Sequence, residues 1–573
     1  MQLIRRFKQT FMNKRPNNLF AWIVLLAWLL YAPVQVSASD KSDSLTIPKN
    51  WFLLDAETDK VLGLSVELAY KNLLKDKPSR TVIVAVIDSG VDIEHEDLRD
   101  KIWTNTKEIP GNGIDDDGNG YVDDVHGWNF IGGPGGNVNE DTYELTREYV
   151  RLRDKFEQAD ERKIAKKDRD EFAQWKKIRD DFFKLKEKNA SQYNMFKQEY
   201  EKYRRVQIQI SQCFKIIREH LDQEIITSED LEGIESEDEV VLYAKMLLLR
   251  LSENVEEGED MAPFLDELNA YMDYLEEAVD HYRVITEYGY NPDFDPRSIV
   301  GDNYQDVKER HYGNSDVKGP DSKHGTHVAG IIAAKRGNDI GIDGIADNVL
   351  IMPIRAVPNG DERDKDIANS IYYAVDNGAH IINMSFGKSY SPQKDAVDKA
   401  VKYAEKKGVL LVHAAGNDGR NNDERPSFPN RYYAGGGEAA NWLEVGATSW
   451  SADLEFLASF TNYGKNSVDV FAPGVDIYST TPENEYQSQN GTSMASPAAA
   501  GVAALIMSYF PDLSAAEVRE ILKESTRKFD GVKVFKPGTQ DITELKQLSR
   551  TGGLINAYEA VKMAEERSKK RVE

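Results

Sequence analysis

The 573-residue chain carries 72 Lys and Arg against 97 Asp and Glu, a formal net charge of −25, with 40% apolar and 29% charged residues. Such acidity would repel nucleic acid and anionic lipid, so no nucleic-acid partner is expected. One cysteine, Cys213, excludes an intramolecular disulfide, a Cys-rich zinc module and an iron–sulfur cluster.

At the N-terminus, residues 1–18 hold five basic side chains (Arg5, Arg6, Lys8, Lys14, Arg15) and no acid. An apolar run at 19–31 follows, then Pro33 and the small-residue pattern Val36-Ser37-Ala38. This is the layout of a secretory signal cleaved after Ala38, which predicts an exported protein, periplasmic or extracellular and of bacterial type. Membrane contact would be limited to that transient signal peptide. An uncleaved anchor is the alternative, but its 13-residue apolar core is short of the ~20 residues a spanning helix needs.

From Thr81 the chain reads TVIVAVIDSG, a Val- and Ile-rich run stopped by a turn. A run of this kind predicts a buried parallel strand that delivers Asp88 at its C-terminal end. Similar runs recur at 349–356, 380–385, 409–415 and 443–447, with helical patterns around 366–377 and 393–407. The alternation predicts an α/β fold, a parallel sheet with helices on both faces and ligands at the carboxyl ends of the strands.

Residues 137–232 interrupt this rhythm. All 96 lack glycine and proline, and the span is dense in charged and aromatic residues, the composition of long amphipathic helices. A second helical stretch is predicted over 238–286. Residues 151–220 carry 20 basic and 13 acidic side chains, whereas 221–280 carry 2 and 20. Oppositely charged halves can fold back as an antiparallel hairpin, or stand as two solvated helical faces.

Four short segments carry chemistry: Asp88-Ser89-Gly90, His324-Gly325-Thr326-His327, Ala414-Ala415-Gly416-Asn417, and Asn490-Gly491-Thr492-Ser493 ahead of an apolar helix. Acyl transfer needs a hydroxyl nucleophile, an imidazole to take its proton, a carboxylate to orient the imidazole, and donors for an oxyanion. Ser493, His324, Asp88 and Asn417 offer one candidate for each role. His327, His95 and Ser496 are read as structural.

Together VAVIDSG, HGTHVAG, INMSFG, AAGN and GTSMASP resemble the subtilisin-like serine proteases, in that family's Asp…His…Ser order. The resemblance covers about residues 81–128 and 295–558. It implies a serine endopeptidase acting on polypeptides, with Asp88, His324 and Ser493 as the triad and Asn417 as oxyanion donor. It further implies that Ser385-Phe386-Gly387 pairs with the substrate backbone and, with Ala414, Ala415 and Gly416, walls the first specificity pocket. In place of the family's Gly/Ser-rich substrate edge stands Asp361-Glu362-Arg363-Asp364-Lys365-Asp366, expected to narrow the outer subsites.

A structural calcium is expected, with no organic cofactor. In NGIDDDGNGYVDD, Asp115, Asp117, Asn119, Tyr121 (through its carbonyl) and Asp123 match the first nine positions of a calcium loop, with Gly120 at the turn. The twelfth position is His126 instead of Glu. Asp97 and Asn338 fall where the resemblance implies a second calcium.

The expected organisation is a signal peptide (1–38), the first part of a catalytic domain (39–136), a helical insertion (137–292) and the second part of that domain (293–573). Because Asp88 and His324 must meet, the ends of the insertion are expected to lie close together near the catalytic face. The insertion could dock a partner or client, making the protein a dedicated processing protease. An inactive scaffold of the same fold is the remaining alternative.

Overall fold

The computed structural model describes residues 47–252 and 258–572, so the expected signal peptide lies outside the described residues. Nine strands form the main sheet: β1 (Val82–Asp88), β2 (Trp128–Asn129), β3 (Val349–Arg355), β4 (Ile381–Met384), β5 (Leu410–Ala414), β6 (Trp442–Thr448), β7 (Val470–Pro473), β8 (Arg527–Lys528) and β9 (Gly553–Leu554). Their order is β8-β9-β7-β6-β5-β4-β1-β3-β2, and every pairing is parallel except β8 with β9. The helices used below are α1 (Glu144–Phe156), α2 (Arg169–Leu221), α3 (Ala262–Val284), α4 (Lys323–Ala333), α5 (Asp364–Asp376), α6 (Lys394–Lys407) and α7 (Thr492–Tyr509).

The continuous apolar strands are explained by burial on both faces. Within β1, Val82, Val84 and Val86 enter one core with Val328, Ile331 and Ile332 of α4 and Met494, Ala498 and Val502 of α7. Ala85 and Ile87 enter the other, with Ile367 and Ile371 of α5 and Val397 and Ala400 of α6. The two-residue side-chain period of a strand produces this division. Register then aligns the carboxyl ends: Ile87 opposes Met384, Met384 opposes His413 and Ala414 opposes Val445. Asp88, Ser385 and the segment after Ala414 therefore emerge along one edge.

The chain divides into two compact units, Thr46–Leu185 with Glu287–Glu573, and a second containing Lys186–Thr286. The division falls well inside the 137–292 span expected from sequence because the early helices are buried in the larger unit. Glu144, Tyr149, Leu152, Trp175 and Phe182 are all buried, and Tyr149 stacks on Phe182 at 4.1 Å. In the smaller unit, α3 runs antiparallel to the later part of α2. Phe196 stacks on Tyr282, Tyr203 meets Tyr271, and Gln207 Nε2 donates to Asn269 Oδ1 at 2.7 Å. The folded-back geometry raised by the charge pattern is present, and aromatic rings line its seam.

Candidate active site

Asp88 ends β1, and His324 is the second residue of α4. His324 Nδ1 lies 2.7 Å from Asp88 Oδ1. Gly325 permits this approach: a Cβ there would stand 2.1 Å from the Gly90 carbonyl oxygen and 3.1 Å from Asp88 Cβ. Burial works against the imidazolium of His324, but the Asp88 carboxylate outweighs it and holds the histidine above its ordinary pKa.

Ser493 is the second residue of α7, an 18-residue helix whose N-cap is Gly491. The N-terminus of a long helix favours negative charge beside it. The Ser493 hydroxyl donates to the Ser385 carbonyl at 3.1 Å, and the Ser385 hydroxyl donates back to the Ser493 carbonyl at 3.0 Å. Asn383 Nδ2 donates to Ser385 Oγ (3.0 Å), and Asn383 Oδ1 accepts from Ser496 Oγ at 2.8 Å. Ser496 thus serves as a buried brace.

Asn417 is oriented by Thr492, whose backbone N–H and hydroxyl both donate to Asn417 Oδ1, at 2.9 and 2.8 Å. With its oxygen engaged, the amide nitrogen is left for other work. A Cβ built on Gly491 would lie 3.4 Å from Ser493 N and 3.5 Å from Asn417 Nδ2. The space above Gly491 is therefore flanked by two donors, as an oxyanion requires. Thr492 was not singled out from sequence, although it stands inside the GTSMASP segment.

A cleft of about 1130 Å³ is lined by Ser493, Asn417, Ala414, Gly416, Ser385, Phe386, Gly387 and Phe428, while Asp88 and His324 are not among its lining residues. Ala415 is fully buried behind this wall. Lys177, Asp181, Lys184 and Leu185 also line the cleft; their four- and three-residue steps place them on one face of α2. Tyr143 and Tyr290 complete that side, with rings 5.0 Å apart.

The segment 361–366, expected to narrow the outer subsites, brings Asp361 and Glu362 to the lining of this cleft. Glu362, Arg363, Asp364, Lys365 and Asp366 are all at most 3% exposed, because they join a buried ionic network. Lys388 Nζ lies 2.8 Å from both Glu144 Oε2 and Asp364 Oδ1, and it donates to the Glu362 carbonyl at 2.8 Å. Arg147 reaches the carbonyls of Asp361 and Glu362, and Arg363 forms a bidentate pair with Asp141. Burial alone would raise the Glu144 carboxyl, yet Arg147 and Lys388 bring it down to about 2. Burial pushes Glu362 up to about 8 and Asp361 up to about 6. Nothing in the sequence announced Glu144 or Lys388 as partners, since they are 244 positions apart.

His327 and His95 contact the hairpin Ile477–Gln489, through the carbonyls of Gln487 (3.0 Å) and Glu485 (3.2 Å). Burial pushes His327 down to about 4.

Of the metal candidates, Asp97 and Asn338 come together, with Asn338 Nδ2 donating to Asp97 Oδ1 at 2.7 Å. Asp115 accepts from the amides of Asn119 (3.0 Å) and Gly120 (2.7 Å), and Asn119 Oδ1 accepts from Tyr121 N at 2.8 Å. Asp115 and Asp117 each place a carboxylate oxygen near one of Glu108, which sequence reading missed. Asp123 is not brought into that group; its carboxylate takes the amides of Asn112 (3.2 Å) and Gly113 (2.9 Å). The Tyr121 hydroxyl donates to the Arg310 carbonyl at 3.2 Å.

The profile described as the subtilase family matches residues 79–541. A thermophilic serine proteinase of Bacillus sp. (strain AK1) is 39% identical over 246 residues, 43% of this chain and 55% of that protein. Subtilisin DY of Bacillus licheniformis is 41% identical over 216 residues, 37% of this chain and 72% of that protein. Among curated relatives, the chain spans 55% of the first and 53% of an alkaline elastase from Bacillus sp. (strain YaB), about half of each. With the family profile covering most of the sequence and its motifs converging at the strand ends, the chain belongs to the subtilase family.

Proposed function

We propose that the protein is an exported serine endopeptidase that hydrolyses polypeptides through an acyl-enzyme intermediate. The observation that carries this reading is the space above Gly491, set between the Ser493 and Asn417 donors, on the sheet edge where His324 meets Asp88 at 2.7 Å.

In this reading an Nδ1 proton shared with Asp88 leaves His324 Nε2 as the acceptor. Rotation of the Ser493 side chain away from the Ser385 carbonyl presents its hydroxyl to that nitrogen. The oxygen adds to the scissile carbonyl carbon while the proton passes to Nε2. The resulting oxyanion accepts from the Ser493 N–H and Asn417 Nδ2. His324 then protonates the leaving amine as the C–N bond breaks. Water attacks the ester in the second half, giving its proton to His324, which returns it to Ser493. An extended substrate backbone would lie along Ser385-Phe386-Gly387, its first side chain against Ala414-Ala415-Gly416.

The test is hydrolysis of casein and short peptides by the parent and by Ser493→Ala. Loss of about 10⁶ in turnover is expected; a Ser493→Ala protein that digests casein like the parent overturns the reading. It also separates a protease from an inactive scaffold. Export is checked by the N-terminal residue of protein recovered outside the cytoplasm, expected to be Ser39.

A narrower version, a processing protease with few clients, is favoured by the charged face of α2 along the cleft. In this version the insertion selects or docks the client. Reversing the charges of Lys177 and Lys184 on that face would leave short-peptide hydrolysis intact and reduce client cleavage.

A further inference from the structure

Two stretches of the cleft lining are tied together by one side chain. The first runs from Ser385, which exchanges hydrogen bonds with Ser493 at 3.0 and 3.1 Å, through Phe386 and Gly387 to Lys388. The second is Gly360-Asp361-Glu362. Lys388 Nζ spans from one to the other and donates to the Glu362 carbonyl at 2.8 Å. The same ammonium meets Glu144 Oε2 and Asp364 Oδ1, each at 2.8 Å, so all three donors of the lysine are taken. Arg147 Nη2 donates to that Glu362 carbonyl at 3.1 Å and to Glu144 Oε2 at 2.7 Å. Lys388 and Glu362 are only 4% and 2% exposed. The crossing is therefore a packed partition, and Glu144 and Arg147 of α1, inside the insertion, help to hold it.

We infer that Lys388 is a specificity-determining residue that closes the groove for an extended peptide after the third substrate residue before the scissile bond. The inference rests on the reading of the protein as a serine endopeptidase. Backbone groups of a paired strand face its partner at every second residue. With the first substrate residue at Ser385, beside the nucleophile, the third falls at Gly387. A fourth would reach the level of Lys388, where the ammonium and the carbonyl it holds fill the path. To pass, the peptide would have to pull a buried ammonium from two carboxylates, which is strongly unfavourable. Nor does the second stretch offer a free edge there, because Arg147 also holds the Asp361 carbonyl, at 3.2 and 3.1 Å. Residues beyond the third therefore leave the groove and turn toward the α2 face, where Lys177 and Lys184 line the cleft. The start of the insertion thus sets how much of a substrate is read in extended form.

The test is a series of acetylated peptide amides that place one to five uncharged residues before the same scissile bond, hydrolysed by the full-length protein. Adding the third residue is expected to raise kcat/KM about tenfold, the contribution of a pair of backbone hydrogen bonds. Adding the fourth or fifth is expected to change it by less than about twofold. N-methylation of the third residue should cost about tenfold, and of the fourth less than about twofold. In Lys388→Ala, a gain of about threefold or more is expected to appear at the fourth residue. Circular dichroism verifies folding; should Lys388→Ala not fold, the length series and the N-methylated peptides on the parent decide. A parent that gains as much from the fourth residue as from the third, or a folded Lys388→Ala protein with the parent's length profile, overturns the inference. Absence of hydrolysis across the whole series overturns the endopeptidase reading instead.

Discussion

The Tyr143 backbone N–H donates to the Gly289 carbonyl at 3.0 Å, closing a chain excursion of nearly 150 residues with one hydrogen bond. Thr146 Oγ1 donates to the same carbonyl at 2.7 Å. This closure reconciles a 236-residue separation between Asp88 and His324 with their 2.7 Å contact. Loop-closure entropy grows slowly with length, so a long insertion is tolerated where its ends are pinned.

Replacing Asp88 with Asn removes the acceptor that holds the Nδ1 proton of His324. Turnover is expected to fall about 10⁴-fold with KM little changed. Steady-state kinetics on a peptide amide checks this, and an undiminished kcat would show that Asp88 does not orient the ring.

Gly491→Ala is expected to lower kcat by about 10²–10³-fold, the cost of losing an oxyanion donor. Its methyl would occupy the space 3.4 Å from Ser493 N and 3.5 Å from Asn417 Nδ2. The backbone at 491 has φ 166°, an extended value any residue adopts, so Tm should stay near that of the parent. A fall in Tm with unchanged kcat would contradict the placement.

Most of the sheet was legible in the sequence because two-sided burial writes itself as unbroken apolar runs. Residues 349–356 became β3 at Val349–Arg355, and 409–415 became β5 at Leu410–Ala414. Two-residue strands such as β2 and β8 have no period to detect, and their pairing is set by the tertiary fold. The site residues were legible where each sits at the end of such a run. The Lys388–Glu144 pair was not, because a buried ion pair leaves no local pattern. Nor was the contribution of Glu108, since its position relative to Asp115 depends on how the loop folds back.

Lys388→Met leaves the Glu144 and Asp364 carboxylates without their shared cation, each at 2.8 Å in the native protein. Removing one partner of a buried ionic contact costs about 3–5 kcal/mol. A clear drop in Tm at pH 7 is expected. It should shrink at low pH, where the stranded carboxylates can take up protons.

Burial raises Glu362 to about 8, so its ionisation opposes the folded state. Below about pH 4.5 the side chain is neutral in both states. Between there and pH 8 the unfolded chain releases the proton more readily, and stability falls as pH rises. Glu362→Gln removes this term. Its Tm advantage over the parent should therefore grow from pH 5 to pH 8 and then level off. An advantage that is constant or shrinks over that interval would overturn the environment described for Glu362.

Lys184→Glu reverses one charge on the α2 face along the cleft and lies outside the reacting groups. For peptides long enough to reach α2, KM is expected to change severalfold while kcat holds. Short amide substrates should show neither change, and comparing the two substrate lengths checks it.

The Thr492 hydroxyl donates to Asn417 Oδ1 at 2.8 Å and accepts from the Gly416 amide at 3.1 Å. One rotor thereby ties the group that would stabilise charge to the wall that would receive the substrate side chain. Adjusting either alone would disturb the other, so changes in substrate preference that displace Gly416 carry a penalty in rate. Variants selected for new cleavage preferences should accordingly accumulate substitutions across the cleft at Ser427 or Phe428, and spare the 414–417 side.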